Sequence, residues 1–184
     1  MDVLVVCTGN ICRSPIGEVL LAARLEELGV DAHIHSAGLL SPGQRVPGPG
    51  LAVMATRGFD TSSHRSRRLS AELVGPADLI VAMAREHVEE IVATHPSAWG
   101  RTFTLKELVR RGERLGPRRA GQSVADYVAQ LHTGRRPADL MGFSADDDVA
   151  DPIGAPLAVY ERTAAEIDDL TGRLARLLAG TGGR

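Results

Sequence analysis

Cysteine occurs only twice in these 184 residues, at Cys7 and Cys12 within one short stretch. That excludes a disulfide-built scaffold and implies a reducing compartment. No apolar run approaches the length of a membrane span, and Met1-Asp2 leads straight into an apolar segment with no charged leader. No membrane association and a cytoplasmic location are therefore expected. An excess of charge of one sign is also missing: 21 basic and 23 acidic residues leave a formal net charge of −2, which gives nucleic acid nothing to bind. Lys106 is the sole lysine, a bias of composition rather than a site. Aromatics are scarce, with Phe59, Trp99, Phe103, Tyr127, Phe143 and Tyr160 making up the full set. No Gly-x4-Gly-Lys-Ser/Thr loop is present, and Gly48-Pro49-Gly50 lacks the strand and third glycine of a dinucleotide loop.

What is present reads as one α/β domain, at 43% hydrophobic and 24% charged residues. Val3-Leu4-Val5-Val6 and the run from Asp78 to Met83 have the continuous apolar character of buried parallel strands. Ala32 to Ser36, ended by Ala37-Gly38, and Thr102 to Leu105 supply two more. Helical spacing predicts helices over 15–28, 51–57, 71–74, 85–93, 106–111, 123–132 and 156–178. On the 85–93 helix, His87 and Glu90 are expected outside and Val88, Ile91 and Val92 inside. The expected architecture is a three-layer, doubly wound α/β sandwich, with a four-stranded parallel sheet in the order 2-1-3-4 and helices on both faces. Residues 1–179 form a single domain in this reading. Within it, 112–148 is an exposed, partly mobile excursion, and 180–184 is a disordered tail.

The chemistry concentrates between the first strand and the first helix. Cys7-Thr8-Gly9-Asn10-Ile11-Cys12-Arg13-Ser14-Pro15 places a thiol at a strand end and an arginine at a helix start, five residues apart. A loop there aims N–H groups and the helix dipole at one point, which suits a doubly charged oxyanion. The same surroundings favour a thiolate. Arg13 can bind two phosphoryl oxygens through its planar fork. Gly9 permits close backbone approach, Asn10 tolerates left-handed geometry, and Ser14 can donate to the thiolate. Thr8, Gly9, Asn10, Ile11, Cys12, Arg13 and Ser14 are thus the candidate phosphate-binding set around the nucleophile Cys7. The bland alternative is a buried core cysteine followed by a helix-start arginine.

Expelling an alkoxide or phenolate from phosphorus requires a proton donor, and Asp151, stiffened by Pro152, is suited to the task. Asp146, Asp147 and Asp148 are rivals, although a run of three acids more often forms a solvated loop. The derived mechanism has two steps, attack of Cys7 on phosphorus and hydrolysis of the cysteinyl-phosphate by water. The loop N–H groups and Arg13 carry the electrostatics, so neither step needs a metal or cofactor. His33 and His35 share a strand face, but the sequence suggests no third ligand. Cys12 is placed either to form a reversible disulfide with Cys7 or to fill the base of the loop.

Val6 to Pro15 resembles the N-terminal signature of the low-molecular-weight protein tyrosine phosphatase family. Ser36-Ala37-Gly38, Ser63 to Arg67, Ala77 to Met83 and Asp151-Pro152 follow in that family's order. The resemblance implies that Cys7 is the nucleophile, Arg13 the phosphate ligand and Asp151 the general acid. It further implies that Asn10, Ser14 and His64 hold the loop in shape. Phosphorylated protein as substrate, inorganic phosphate as product and a monomeric enzyme are the corresponding expectations.

Two features divide the substrate reading. Asp-Pro is followed by Ile153-Gly154, and 39–50 has no aromatic, whereas tyrosine phosphatases of the family carry aromatics there to sandwich a phenyl ring. Asp-Pro-x-Gly and Phe103 to Glu107 are similar to the protein-arginine phosphatase branch, which however has Thr where this chain has Ile11. The apolar Ile11 tips the reading to phosphotyrosine, with phosphoarginine as the alternative. An arsenate reductase of this fold needs further cysteines for its relay, which this chain does not have. A module that binds phosphate without hydrolysing it has no use for Cys7, Arg13 and Asp151 together.

Overall fold

The computed structural model describes residues 1–180; residues 181–184 of the expected tail lie outside that range. Four strands, Asp2–Cys7 (β1), His33–Gly38 (β2), Leu79–Ala82 (β3) and Thr102–Thr104 (β4), form one parallel sheet in the order β2-β1-β3-β4. Alternation along β1 creates the layers. Val3, Val5 and Cys7 face a core shared with Ile16, Leu108 and Ile167, whereas Leu4 and Val6 face a second one built with Val74, Ile91 and Ala98. The first core belongs to helices Arg13–Glu27 (α1), Leu105–Leu115 (α5) and Leu157–Ala179 (α7). Helices Ala71–Val74 (α3) and Arg85–Thr94 (α4) cover the other face. Gly48–Ala55 (α2) also packs on α7.

The order of strands positions the site. The chain leaves β1 towards β2 on one side and β3 on the other, so the loops after β1 and β3 diverge and open a crevice at their carboxyl ends. Cys7 is the last residue of β1. Helix α1 begins at Arg13, two residues ahead of the expected Pro15, so Arg13 belongs to the first helical turn. Two 3-10 turns, Pro96–Arg101 and Pro137–Leu140, were not legible as elements.

The segment 112–148 is less exposed than expected. Helix α5 continues through Leu115, and Val124–His132 (α6), capped by the Ser123 hydroxyl accepting from Asp126 N at 3.0 Å, buries Tyr127, Val128 and Leu131 in the main core. After α6, the Arg135 side chain is 1% exposed. Its Nε and Nη2 donate to the Glu107 carboxylate at 2.8 and 3.0 Å, and its guanidinium lies 4.1 Å from the Trp99 ring centroid and 4.0 Å from that of Phe103. A run of arginines and glycines looks like a linker in sequence, but here one arginine serves as a core residue because carboxylate and aromatic partners desolvate it together. Replacing it leaves Glu107 buried with only Arg111 as its ion-pair partner. Arg135→Ala is therefore expected to lower the unfolding free energy by about 3 kcal/mol in urea denaturation.

Candidate active site

The loop from Cys7 to Arg13 is held by Asn10. Its backbone adopts φ 51°, the left-handed geometry that asparagine tolerates. Its Nδ2 donates to Ser14 Oγ at 2.9 Å and to Ser36 Oγ at 2.7 Å, and its Oδ1 accepts from Arg67 N at 2.8 Å. His64 Nε2 lies 2.8 Å from the Asn10 carbonyl oxygen. Gly38, at the end of β2, lies against this loop so closely that a Cβ there would meet Asn10 N at 2.7 Å, which explains the glycine. Ser14 Oγ accepts from Asn10 and lies 3.0 Å from Cys7 Sγ and 3.4 Å from the Ala37 carbonyl oxygen, so its one proton is open to either of them. Asn10 N donates to the Cys7 sulfur at 3.2 Å. A backbone N–H and a hydroxyl thus converge on a buried thiol at a helix start whose cap position carries no side-chain hydrogen bond.

Arg13 is drawn across the loop. Its side chain is 4% exposed, and its Nη2 is 2.6 Å from Asp151 Oδ2 and 3.0 Å from Thr8 Oγ1. Nη1 donates to the Val149 carbonyl oxygen at 3.2 Å. Asp151 is 42% exposed on its side chain, and its second oxygen accepts from Ile153 N at 3.1 Å, the turn expected of Asp-Pro. The sequence-nominated residues Cys7, Arg13 and Asp151 therefore meet in one place, with Thr8 beside them. Asn10, Ser14 and His64 surround the loop. Ile11 packs partly on the main core, next to Gly9. Cys12 is buried at the helix cap, and burial pushes its thiol up to about 12, so it carries little thiolate at neutral pH. Both cysteines are free thiols.

The rival acids have other partners. Asp147, only 2% exposed, lies between Arg85 and Arg110 at 2.6 and 2.7 Å. Burial disfavours its charge, but the two arginines outweigh that and hold its carboxyl below the usual range. Asp148 Oδ1 accepts from Arg85 N at 2.7 Å and caps α4, whose own cap residue Ala84 has no side chain able to do so. Asp147 and Asp148 thus sit in a buried charge cluster, whereas Asp146 is exposed as expected of a solvated loop.

One member was missed by the sequence reading. His87 is fully buried, contrary to its expected outward position, with Nε2 2.9 Å from Thr8 Oγ1. Its signal was the i, i+1, i+4 spacing with Val88 and Ile91, obscured by the polarity of the imidazole. Burial, reinforced by the nearby Arg13 charge, pushes His87 down to about 3, so it is neutral at ordinary pH. The third partner missing for His33 and His35 is Asp2, at 2.8 and 2.9 Å from their Nδ1 and Nε2. The two imidazoles stack at an interplanar angle of 16°, and their nitrogens and the Asp2 carboxylate converge to within 4.8 Å of one another, a spacing that could hold a metal ion. This suits a carboxylate-bridged histidine pair at the end of the sheet remote from Cys7.

Residues 2–116 match the family described as low molecular weight phosphotyrosine protein phosphatase. The low molecular weight protein-tyrosine-phosphatase Etp of Escherichia coli K12 is 39% identical over 130 residues, 69% of this chain and 84% of that protein. A protein-arginine-phosphatase of Bacillus subtilis is 29% identical over 97% of both chains. Among solved structures, a cysteine-to-serine mutant of the YwlE arginine phosphatase with a phosphorylated active site serine superposes with a TM-score of 0.72 at 29% identity, covering 95% of this chain and 93% of that one.

Neutral burial of His87 sets a sign for acid behaviour. The unfolded chain takes up a proton at His87 near pH 6.5 while the folded one does so only near 3, so lowering the pH between these values favours unfolding. Stability is expected to fall over that window by up to about 1 kcal/mol per pH unit. Chemical denaturation at stepped pH, compared with His87→Gln, should show the variant losing that slope.

Proposed function

Since the chain belongs to the low molecular weight phosphotyrosine protein phosphatase family, we propose that it hydrolyses phosphotyrosine in proteins through a cysteinyl-phosphate. The observation that carries this reading is the convergence of Cys7 Sγ, the Arg13 guanidinium and the Asp151 carboxylate from three parts of the chain. In the first step the Cys7 thiolate attacks phosphorus in line, the P–O bond to the leaving group breaks, and Asp151 delivers its proton to the departing oxygen. In the second, Asp151 takes a proton from water as water attacks, the S–P bond breaks, and inorganic phosphate leaves. Loop N–H groups and Arg13 hold the phosphoryl oxygens through both steps. The phosphorylated active-site residue described for the YwlE mutant supports a covalent phospho-enzyme.

Arg13 gives the sequence of events a physical basis. Its Nη2 edge faces Asp151, and a phosphoryl group seated in the loop competes for the same edge. A dianion presenting two oxygens to the fork is the stronger partner, so binding releases Asp151 towards the leaving group. In this proposal residues 1–179 act as one catalytic domain, monomeric and cytoplasmic. Among the described residues no helix is long and apolar enough to cross a membrane.

Phosphoarginine is the second reading. It is favoured by the arginine phosphatase that matches 97% of this chain and by Gly154 after Asp-Pro. Ile11 favours phosphotyrosine, because an apolar branched side chain gives a phosphoguanidinium no hydrogen-bond partner.

Cys7→Ser is expected to abolish hydrolysis of p-nitrophenyl phosphate. Asp151→Asn should cut kcat on a phosphotyrosine peptide by about 10²–10⁴-fold, with a smaller loss on p-nitrophenyl phosphate, whose leaving group needs less protonation. Retained turnover in Cys7→Ser would overturn the mechanism. Side-by-side assays of phosphotyrosine and phosphoarginine peptides, with wild type and Ile11→Thr, test the substrate. Wild type is expected to prefer phosphotyrosine and Ile11→Thr to shift towards phosphoarginine; the opposite wild-type preference moves the assignment to the second reading.

A further inference from the structure

A cleft beside the phosphate loop shares Arg13 and Asp151 with the site but draws the rest of its lining from elsewhere in the chain. The cleft, about 400 Å³, is lined by Arg13 and Asp151 together with Ala84, Glu86, Val149 and Phe143. Phe143 lies beyond the residues matched to the family, which end at 116. It is 85% exposed, more than any other large apolar side chain among the described residues. It is also the one aromatic lining this cleft. A phenyl ring held in water beside an anion-binding site is unfavourable to the protein alone and marks a contact surface.

Its backbone is pinned on both sides. Gly142, at φ 74°, donates its N–H to Glu89 at 3.1 Å, and Ser144 N donates to Asp148 Oδ2 at 2.9 Å. Asp148 in turn caps α4, and Asp147 is fixed by Arg85 and Arg110. The ring therefore projects from an ordered turn rather than a loose loop tip, so little ordering is needed when a ligand meets it.

We propose that Phe143 is the contact for the substrate's aryl ring, and that the turn 141–148 forms the wall of the cleft that selects the phosphorylated side chain. This rests on the phosphotyrosine reading above. With the phosphoryl group on the loop and Arg13, the phenyl ring of the substrate packs against Phe143 in an offset or edge-on arrangement, and Asp151 stands at the bridging oxygen.

Steady-state kinetics of the full chain on a phosphotyrosine peptide test this. Phe143→Ala is expected to raise KM about tenfold with kcat little changed, because the ring contact is lost while Cys7, Arg13 and Asp151 are untouched. Phe143→Tyr should keep the wild-type KM. Competitive inhibition by inorganic phosphate, which has no ring, should be the same in all three proteins. If wild type turns over the peptide and Phe143→Ala leaves KM unchanged, the ring contact is wrong while the phosphatase assignment stands. An equal weakening of phosphate inhibition would mean that Phe143 acts through the loop, which also overturns the proposal. Wild type that fails on phosphotyrosine removes the underlying reading and this one together.

Discussion

The site depends on a single asparagine held in left-handed geometry. At φ 51° Asn10 turns the chain so that its own N–H reaches Cys7, while its side chain directs a series of hydroxyls. Nδ2 has two protons, one for Ser14 and one for Ser36, which leaves each hydroxyl free to donate onwards. Ser14 meets the thiol and the Ala37 carbonyl oxygen, and Ser36 donates to the Glu18 carboxylate on α1. The direction of every bond in this series follows from the amide. An aspartate would accept where donation is needed, and a residue with a branched side chain would not hold the backbone angle. Gly38, Arg67 and His64 are placed by the same requirement, each meeting the loop where a larger, shifted or unpolarised neighbour would disturb it.

A second economy lies in residues 147–151. Asp147 links α4 to α5, Asp148 caps α4, and the Val149 N–H donates to the Met83 carbonyl at 2.8 Å, extending the edge of β3. The carbonyl of the same Val149 accepts from Arg13. The segment that carries Asp151 is thus attached to the sheet, two helices and Arg13 before the chain reaches the carboxylate. Loops that carry reacting groups need this support, because positional error of an ångström or so costs much of the rate.

The parallel sheet was readable in the sequence because its strands are buried on both faces and so are apolar without interruption, as in Val3-Leu4-Val5-Val6 and Leu79-Ile80-Val81-Ala82. The loop was readable because the positions of its thiol, asparagine and arginine are dictated by one tetrahedral anion. What escaped was polar groups buried by mutual satisfaction. Arg135, Asp147 and His87 each belong to residue types that pattern reasoning assigns to solvent, and each is covered because distant partners meet it: Glu107 and two aromatic rings, two arginines, and the Thr8 hydroxyl. Sequence periodicity carries no record of such long-range pairings. The same holds for Phe143, whose place in the cleft arises only from the turn that brings it there.

Charge balance explains why His87 must be buried rather than merely present. Arg13 is nearly enclosed, and a protonated imidazole beside it would place two like charges together in a desolvated site. Enclosure keeps the imidazole neutral, so its contact with Thr8 carries hydrogen-bond direction and no charge. Thr8 accepts from Arg13 Nη2 and thereby fixes the height of the guanidinium above the loop. On its other side Arg13 meets Asp151, whose charge balances it. In the proposed reaction a phosphoryl dianion entering the loop changes that balance, because it takes the arginine edge. In that reaction departure of phosphate restores the Arg13–Asp151 pair, so one guanidinium, positioned by a threonine that also meets a neutral histidine, links occupancy of the loop to the freedom of the Asp151 side chain.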